Sequence, residues 1–305
     1  MMFFSPHTHC TFSFGDGYGT PEDHAVRLAE LGATGAALTD HGNITGHAQW
    51  EKALTKHGLH PAFGCELYLA PPGELRKWHL TVIAENLVGY RNLCQLVSRS
   101  WAEGFYKYPT VHSDMLADHA EGLVVTSGCA DSLLACTLLG GKSYGEQRAT
   151  ASADDVHRAV QVVEWFQDLF GDGYYLECQR FPELERCRTL NEIYAAMSGP
   201  TGVPLVATAD VHYPLPEQNT MQTTLHAAMR GSTVEAQEAG WEYSIKLSHP
   251  LSDQQITDQL IETGLTKHQA ELAVASSEEI GQRCQVVLPK SESVKYPGIV
   301  EELVW

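Results

Sequence analysis

AFGCELYLAPPGELRKWHLTVIA, residues 62–84, holds two apolar runs with only the seven residues PPGELRK (71–77) between the first and WHLTVIA. A parallel crossover needs about a dozen residues or more. The runs 62–70 and 79–84 are therefore expected to form an antiparallel hairpin. Elsewhere, strand-like runs alternate with helical patterns. The strands are FFSPH (3–7), GAALT (35–39), GLVVTS (122–127), GYYLECQ (173–179) and PLVATADVHY (204–213). Helical patterns fall near 21–31, 44–57, 87–103, 155–170, 183–198, 252–263 and 266–284; in the third, Leu93, Leu96, Val97 and Trp101 recur at helical spacing. Such alternation predicts βα units and a mainly parallel sheet. Seven strands with one reversed predict an α/β fold, a distorted (βα)7 barrel. The segment 85–121 has room for two helices that return the chain to the end where the next strand starts.

Sites in parallel barrels lie at the carboxyl ends of the strands. His41 follows GAALTD, Cys129 follows VVTSG, and Asp210 and His212 follow PLVATA. His79 begins its run, but in a reversed strand that beginning lies beside the end of 62–70, near Glu66. The stretch SPHTHCTFSFGDG (5–17) adds His7, His9 and Asp16. Histidines at i and i+2 on an extended chain point to opposite sides, so these two converge only if the backbone turns between them. Gly15 and Gly17 give Asp16 a flexible loop. Imidazole, carboxylate and thiolate donors suit zinc, iron or manganese, and no carboxylate-rich cage for calcium is present. Nine donors exceed the needs of one ion. They fit two or three divalent cations at the C-terminal face, with a carboxylate bridging a pair.

Other residues carry two readings each. Asp40, beside His41, either supports catalysis or caps the next helix. Arg180 in ECQR is a substrate-phosphate contact or a solvated arginine. Arg76, Lys77 and Trp78 precede His79, and Phe105, Tyr106, Lys107 and Tyr108 form a basic-aromatic patch; together they would grip a single strand, or they are ordinary loop residues. His24, His47, His57, His60, His112, His119, His157, His226, His249 and His268 read as surface or core. The eight cysteines form no CxxC pair and read as reduced, mostly buried thiols. A formal net charge of −18 argues against a broad duplex-binding surface, though not against a nuclease, because bound cations would make the pocket positive. No apolar run approaches the roughly 20 residues of a membrane span. MMFFSPHTHC lacks a basic n-region and a long h-region. A soluble cytoplasmic protein is expected.

The ordered motifs HTHCTFSFGDG (7–17), LGATGAALTDHGNITG (31–46), PAFGCELYLAP (61–71), HLTVIAENLVGYRNLCQLVS (79–98), EGFYKYP (103–109), EGLVVTSGC (121–129), YYLECQR (174–180) and PLVATADVHY (204–213) carry a family resemblance. The chain resembles the PHP (polymerase and histidinol phosphatase) superfamily, in particular the amino-terminal PHP domain of bacterial DNA polymerase III alpha subunits. The resemblance implies a PHP phosphoesterase domain over 1–290 and a C-terminal tail over 291–305. It implies that His7, His9, Glu66 and Asp210 hold one ion, that Glu66, His79 and Cys129 hold a second, and that Asp16, His41 and His212 hold a third. Cys10 replaces a usual serine and is expected beside the ions, not on them. Thr110 stands where a basic residue is common. The chain ends at Trp305, where the polymerase would continue into its palm, so a stand-alone protein and an excised domain are both open. The tail KYPGIVEELVW (295–305) is expected to pack on the barrel or contact another chain.

Cations at such a face would lower the pKa of a bound water and supply a hydroxide for in-line attack on phosphorus. Three functions follow: a phosphodiesterase, most concretely a 3′–5′ exonuclease on DNA ends; a small-molecule phosphomonoesterase of histidinol-phosphatase type; and a non-catalytic module that binds a polymerase or another replisome part.

Overall fold

The computed structural model describes residues 3–71, 76–141, 147–238 and 245–290. The expected tail over 291–305 and the hairpin tip 72–75 lie outside the described residues. The strands are β1 Gly35–Leu38, β2 His60–Ala70, β3 Trp78–Ala84, β4 Thr110–His112, β5 Leu123–Thr126, β6 Tyr174–Gln179 and β7 Leu205–Thr208. The helices are α1 Pro21–Leu31, α2 His47–Lys56, α3 Leu87–Ala102, α4 Ser113–Asp118, α5 Leu133–Leu139, α6 Ala153–Phe170, α7 Glu185–Thr201, α8 Asn219–Arg230, α9 Val234–Glu238, α10 Asp253–Glu262 and α11 Lys267–Arg283. Local chemistry fixes several helix starts. Thr20 and Asp23, Ser152 and Asp155, and Thr266 and Gln269 form reciprocal capping boxes at α1, α6 and α11. Among the described residues no helix is long and apolar enough to cross a membrane.

The sheet runs β1-β2-β3-β5-β6-β7, with β4 added to β2. The hairpin is present: β2 and β3 pair antiparallel, with Glu66 opposite Thr81 and Tyr68 opposite His79. β3 and β5 are also antiparallel, whereas β1–β2, β5–β6 and β6–β7 are parallel. The sheet curls into the expected α/β barrel-like form, with two differences from the strand pattern. FFSPH makes bridges rather than a regular strand, because Pro6 lacks an N–H and the chain bends at Pro6 and His7. Ser5 bridges Ala36 and Thr8 bridges Val211, so this segment spans the gap between β1 and the chain leaving β7. The segment 85–121 holds its two helices, α3 and α4, with the short strand β4 between them.

The strand periodicity of two sorts the barrel interior into layers. One layer contains Ala37, Ala62, Ile83, Val124, Tyr175 and Val206, closed by Phe4 and by Ile280 and Cys284 around the end of α11. Gly281 lets α11 approach: a Cβ there would lie 2.6 Å from Phe4 Cδ2. Two residues further toward the mouth the inward positions become Thr39, Thr81, Thr126, Glu177 and Thr208, all buried. The stoppered end is apolar, and the mouth is built on a polar floor.

Candidate metal centre

His7 and His9 turn inward together because the backbone bends between the two bridges. Their Nε2 atoms stand 3.1 Å apart. His7 Nε2 lies 3.6 Å from Glu66 Oε1 and 3.4 Å from Asp210 Oδ1. His9 Nε2 lies 3.4 Å from Glu66 Oε2 and 3.6 Å from Asp210 Oδ1. Ligand atoms of His7, His9 and Glu66 all lie within 4.8 Å of one another, close enough for one cation to be shared among them. Glu66 reaches further. Its Oε1 is 3.1 Å from His79 Nδ1, and Cys129 Sγ is 3.4 Å from that same nitrogen. Its Oε2 is 2.8 Å from His41 Nδ1. On its other side His41 Nε2 meets Asp16 Oδ2 at 2.9 Å, and His212 Nε2 is 3.4 Å from that oxygen. All nine candidate residues are thus gathered at one mouth. His79 joins from the start of β3, beside the end of β2, as the reversed strand requires.

The donor set fits divalent cations. Buried polar atoms without hydrogen-bond partners include Glu66 Oε1, His41 Nδ1 and Asp210 Oδ1, all at this centre. Such atoms are costly unless something satisfies them. Asp210 also adopts φ 44°, a left-handed conformation uncommon outside glycine.

The electrostatics are those of a crowded cage. Burial draws the His7 pKa down, but Asp210, Glu177 and Glu66 outweigh it and hold it well above the ordinary value. Burial likewise opposes His212, yet Asp16 and Asp210 raise it to about 9. His9 goes the other way: burial and the neighbouring His212 and His41 push it well below normal. Burial alone would raise Glu66 and Asp16. His79, His41 and His7 instead hold Glu66 low, and His212 with hydrogen bonds from His212, His226 and His41 hold Asp16 low. Burial, Glu66 and Asp210 push the Cys129 thiol up.

A supporting shell orients these donors. Asp40 accepts from the Cys10 amide at 2.9 Å and from Ser13 Oγ at 2.7 Å, and Cys10 Sγ points at it from 3.3 Å. Burial raises the Asp40 pKa to about 6. Ser13 Oγ also lies 2.9 Å from His9 Nδ1. Asp40 thus holds the loop that carries His9, and it does not cap α2, whose N-cap is Gly46. Sequence reasoning missed Glu177, 2.8 Å from His7 Nδ1, and Gln179, which donates to Asp210 Oδ2 at 3.0 Å. The available signal was a carboxylate inside an otherwise apolar buried strand. It also missed Gln222 and His226, because the buried positions of 219–230 are mostly polar, Gln222 and Thr223 beside Ala227.

The substrate-contact candidates are dispersed. Arg180 is 4% exposed and donates to Gln259 Oε1 and to the carbonyls of Lys246 and Ser248, which gives it no open face for a phosphate. Arg76 lies with Trp78, Arg148, Arg158 and Trp165 around a cavity of about 660 Å³ beside the hairpin. Lys107 sits at φ 63°, its Nζ 5.9 Å from the Tyr106 ring centre, while Lys77 Nζ is 5.5 Å from both Tyr106 and Tyr108. Tyr68 connects this patch to the centre: its ring is 6.0 Å from His41, 5.4 Å from His79 and 4.9 Å from Tyr108.

The sequence matches the PHP domain family over residues 5–181, more than half of the chain. Among curated proteins, the DNA polymerase III subunit alpha of Treponema pallidum is 33% identical over 235 residues, 74% of this chain and 19% of that protein. That of Chlamydia pneumoniae is 32% identical over 236 residues, 68% and 18% of the two chains. That of Campylobacter jejuni is 27% identical over 288 residues, 92% and 23%. The chain therefore spans about a fifth of the length of the curated relatives it matches. A solved two-domain protein of Bacteroides vulgatus, described as containing a predicted PHP-like metal-dependent phosphoesterase, is similar at 12% identity and a TM-score of 0.43, covering 76% of this chain and 56% of that one. The family match over 5–181 takes in the motifs from His7 to Arg180, and the chain belongs to the PHP domain family.

Proposed function

We propose that this chain is a multi-metal phosphodiesterase, most specifically a 3′–5′ exonuclease acting on DNA ends. The observation that carries the reading is the stack that leaves the cage through Tyr68 and Tyr108. Tyr108 is 52% exposed, and Lys77 stands over it. Aromatic faces with adjacent cations suit unpaired bases and a phosphate backbone. Trp101 and Phe105, stacked at 5.2 Å and both exposed, extend the same surface, and Trp101 Nε1 donates to the carbonyl of Gly42 beside His41.

In this reading His7, His9, Glu66 and Asp210 would hold one zinc, manganese or iron ion, Glu66, His79 and Cys129 a second, and Asp16, His41 and His212 a third. When bound, such cations polarise phosphoryl oxygens and activate water as a nucleophile. The chain itself supplies fixed donors: Glu177 orients His7, Ser13 orients His9, and Gln179 orients Asp210. Tyr68 and Tyr108 would lead the terminal nucleotide in. We take 1–290 as one working domain. Asp210 and His212 lie beyond residue 181, and α11 seals the barrel under them.

The curated relatives are polymerase subunits, which supports work in the cytoplasm beside a replicative polymerase. The net charge of −18 supports a second reading, turnover of small phosphomonoesters. The 305-residue chain reconstituted with manganese or zinc should be offered 3′-labelled single-stranded DNA, a nitrophenyl phosphomonoester and a nitrophenyl phosphodiester. Stepwise loss from the 3′ end is the expected result. Turnover of the monoester alone would replace the proposal with the second reading. Full cation occupancy without turnover would leave a scaffold.

A further inference from the structure

Helix α8 lays one face on the loop that carries Asp16. Gln222, His226 and Met229 are spaced i, i+4, i+7 and share that face. Gln222 Nε2 donates to Asp16 Oδ1 at 2.8 Å, and His226 Nε2 lies 2.6 Å from the same oxygen. Met229 packs on the backbone of Gly15, where φ is +80° and a Cβ would come within 2.4 Å of Met229 Cγ. Gln222 and Thr223 are buried, so the helix is docked.

The two oxygens of Asp16 are divided between two tasks. Oδ1 takes the two donors from α8, while Oδ2 faces His41 and His212. The carboxylate sits between Gly15 and Gly17, on a turn whose backbone bonds return to Ser13: Asp16 N to Ser13 O at 3.0 Å and Gly17 N to Ser13 O at 2.9 Å. The turn sets where the loop runs. The donors on α8 set which way the carboxylate faces.

We propose that His226, assisted by Gln222, is a positioning residue for the cation position formed by Asp16, His41 and His212, and that docking of α8 and filling of that position are linked. This rests on the multi-metal reading above. A carboxylate whose far oxygen is fixed by N–H donors presents its near oxygen at a defined angle, and losing such support typically weakens a metal site by about 10–100-fold. Linkage is reciprocal, so a cation held on Oδ2 also favours the docked helix.

The test is manganese binding by the whole 305-residue chain, followed as stoichiometry and stepwise affinity, with amide hydrogen exchange of 219–230 read in the same samples. Wild type should gain protection across α8 as one of its cations binds. His226→Ala should weaken that cation about tenfold or more, leave the others unchanged, and abolish the gain in protection. His226→Gln retains an N–H donor and should restore most of both. Gln222→Ala should weaken the same cation less, an independent reading if His226→Ala fails to fold. Equal affinities in wild type and His226→Ala would overturn the proposal, as would a His226→Gln chain as impaired as His226→Ala. Uptake of no cation at all would instead sink the multi-metal reading beneath it.

Discussion

Glu177 and His7 are 170 positions apart in the chain, and their side chains meet at 2.8 Å. Thr208 donates to one oxygen of Glu177 at 2.8 Å and Thr126 donates to the other, so the carboxylate is fixed in the barrel floor. An Nδ1–H held by this carboxylate leaves His7 Nε2 with its lone pair toward Glu66 and Asp210. Glu177→Gln keeps the shape but weakens the acceptor. Affinity for the cation that His7 would hold should fall roughly 10–100-fold in competition with a chelating dye. Wild-type affinity in that variant would show the contact to be packing only.

Cation binding should release protons at neutral pH. In the cation-free chain His7 and His41 titrate well above the ordinary histidine value, and His212 at about 9. Burial opposes each shift, and neighbouring carboxylates outweigh it. Ligand nitrogens must be unprotonated, so affinity should climb from pH 6 to about 9. The stability of the cation-free chain moves in the opposite direction. A raised folded pKa stabilises fully below the unfolded value near 6.5 and is lost as pH rises through the folded one. The cation-free chain should therefore lose the His212 contribution between about 6.5 and 9. Calorimetry in two buffers of different ionisation enthalpy reads the protons directly, and identical apparent enthalpies would refute this.

How far the sequence reached is clear from particular residues. The seven residues between Ala70 and Trp78 forced the hairpin, and the hairpin explains why His79 faces Glu66. Donor types at strand ends located the nine candidates, because strand polarity fixes which end reaches the mouth. What lay beyond reading was orientation within the polar floor. Thr81, Thr126 and Thr208 look like ordinary β-branched strand residues until the sheet curls and turns them inward. Arg180 in ECQR reads as a phosphate contact or a solvated arginine, yet its buried side chain turns to the carbonyls of Lys246 and Ser248. His226 was hidden because the apolar period of α8 points elsewhere: Met221 and Met229 are exposed, while Gln222 and Thr223 are buried.

Tyr108 separates strand binding from chemistry. Its ring lies against Tyr68 and outside the cage. Stacking contributes about 1–3 kcal/mol per base. Tyr108→Ala should therefore raise KM for single-stranded 3′ ends roughly five- to a hundredfold and leave nitrophenyl phosphodiester turnover unchanged. Equal losses on both substrates would mean that the ring supports the cage and not the strand.

Acid should act on a pair of buried histidines outside the nine candidate ligands. His24 Nδ1 lies 3.0 Å from His249 Nε2; both rings are buried, and His249 Nδ1 has no hydrogen-bond partner among the described residues. Burial lowers His24 to about 4, and burial with the neighbouring His24 and Arg27 takes His249 well below the ordinary value. A folded pKa below the unfolded value means that the unfolded chain binds protons first. The pair's contribution is complete above about pH 6.5 and is lost as pH falls toward 4, by roughly 3 kcal/mol for His24 taken alone. Its neighbour Leu247 accepts from the amides of His212 and Tyr213 at 2.7 and 3.3 Å, so loosening here reaches the mouth. His249→Gln should flatten the fall of the denaturation midpoint between pH 7 and 5 relative to wild type, and hydrogen exchange near 245–250 should rise in wild type over the same range. Parallel midpoint curves for the two chains would assign the acid sensitivity to other groups.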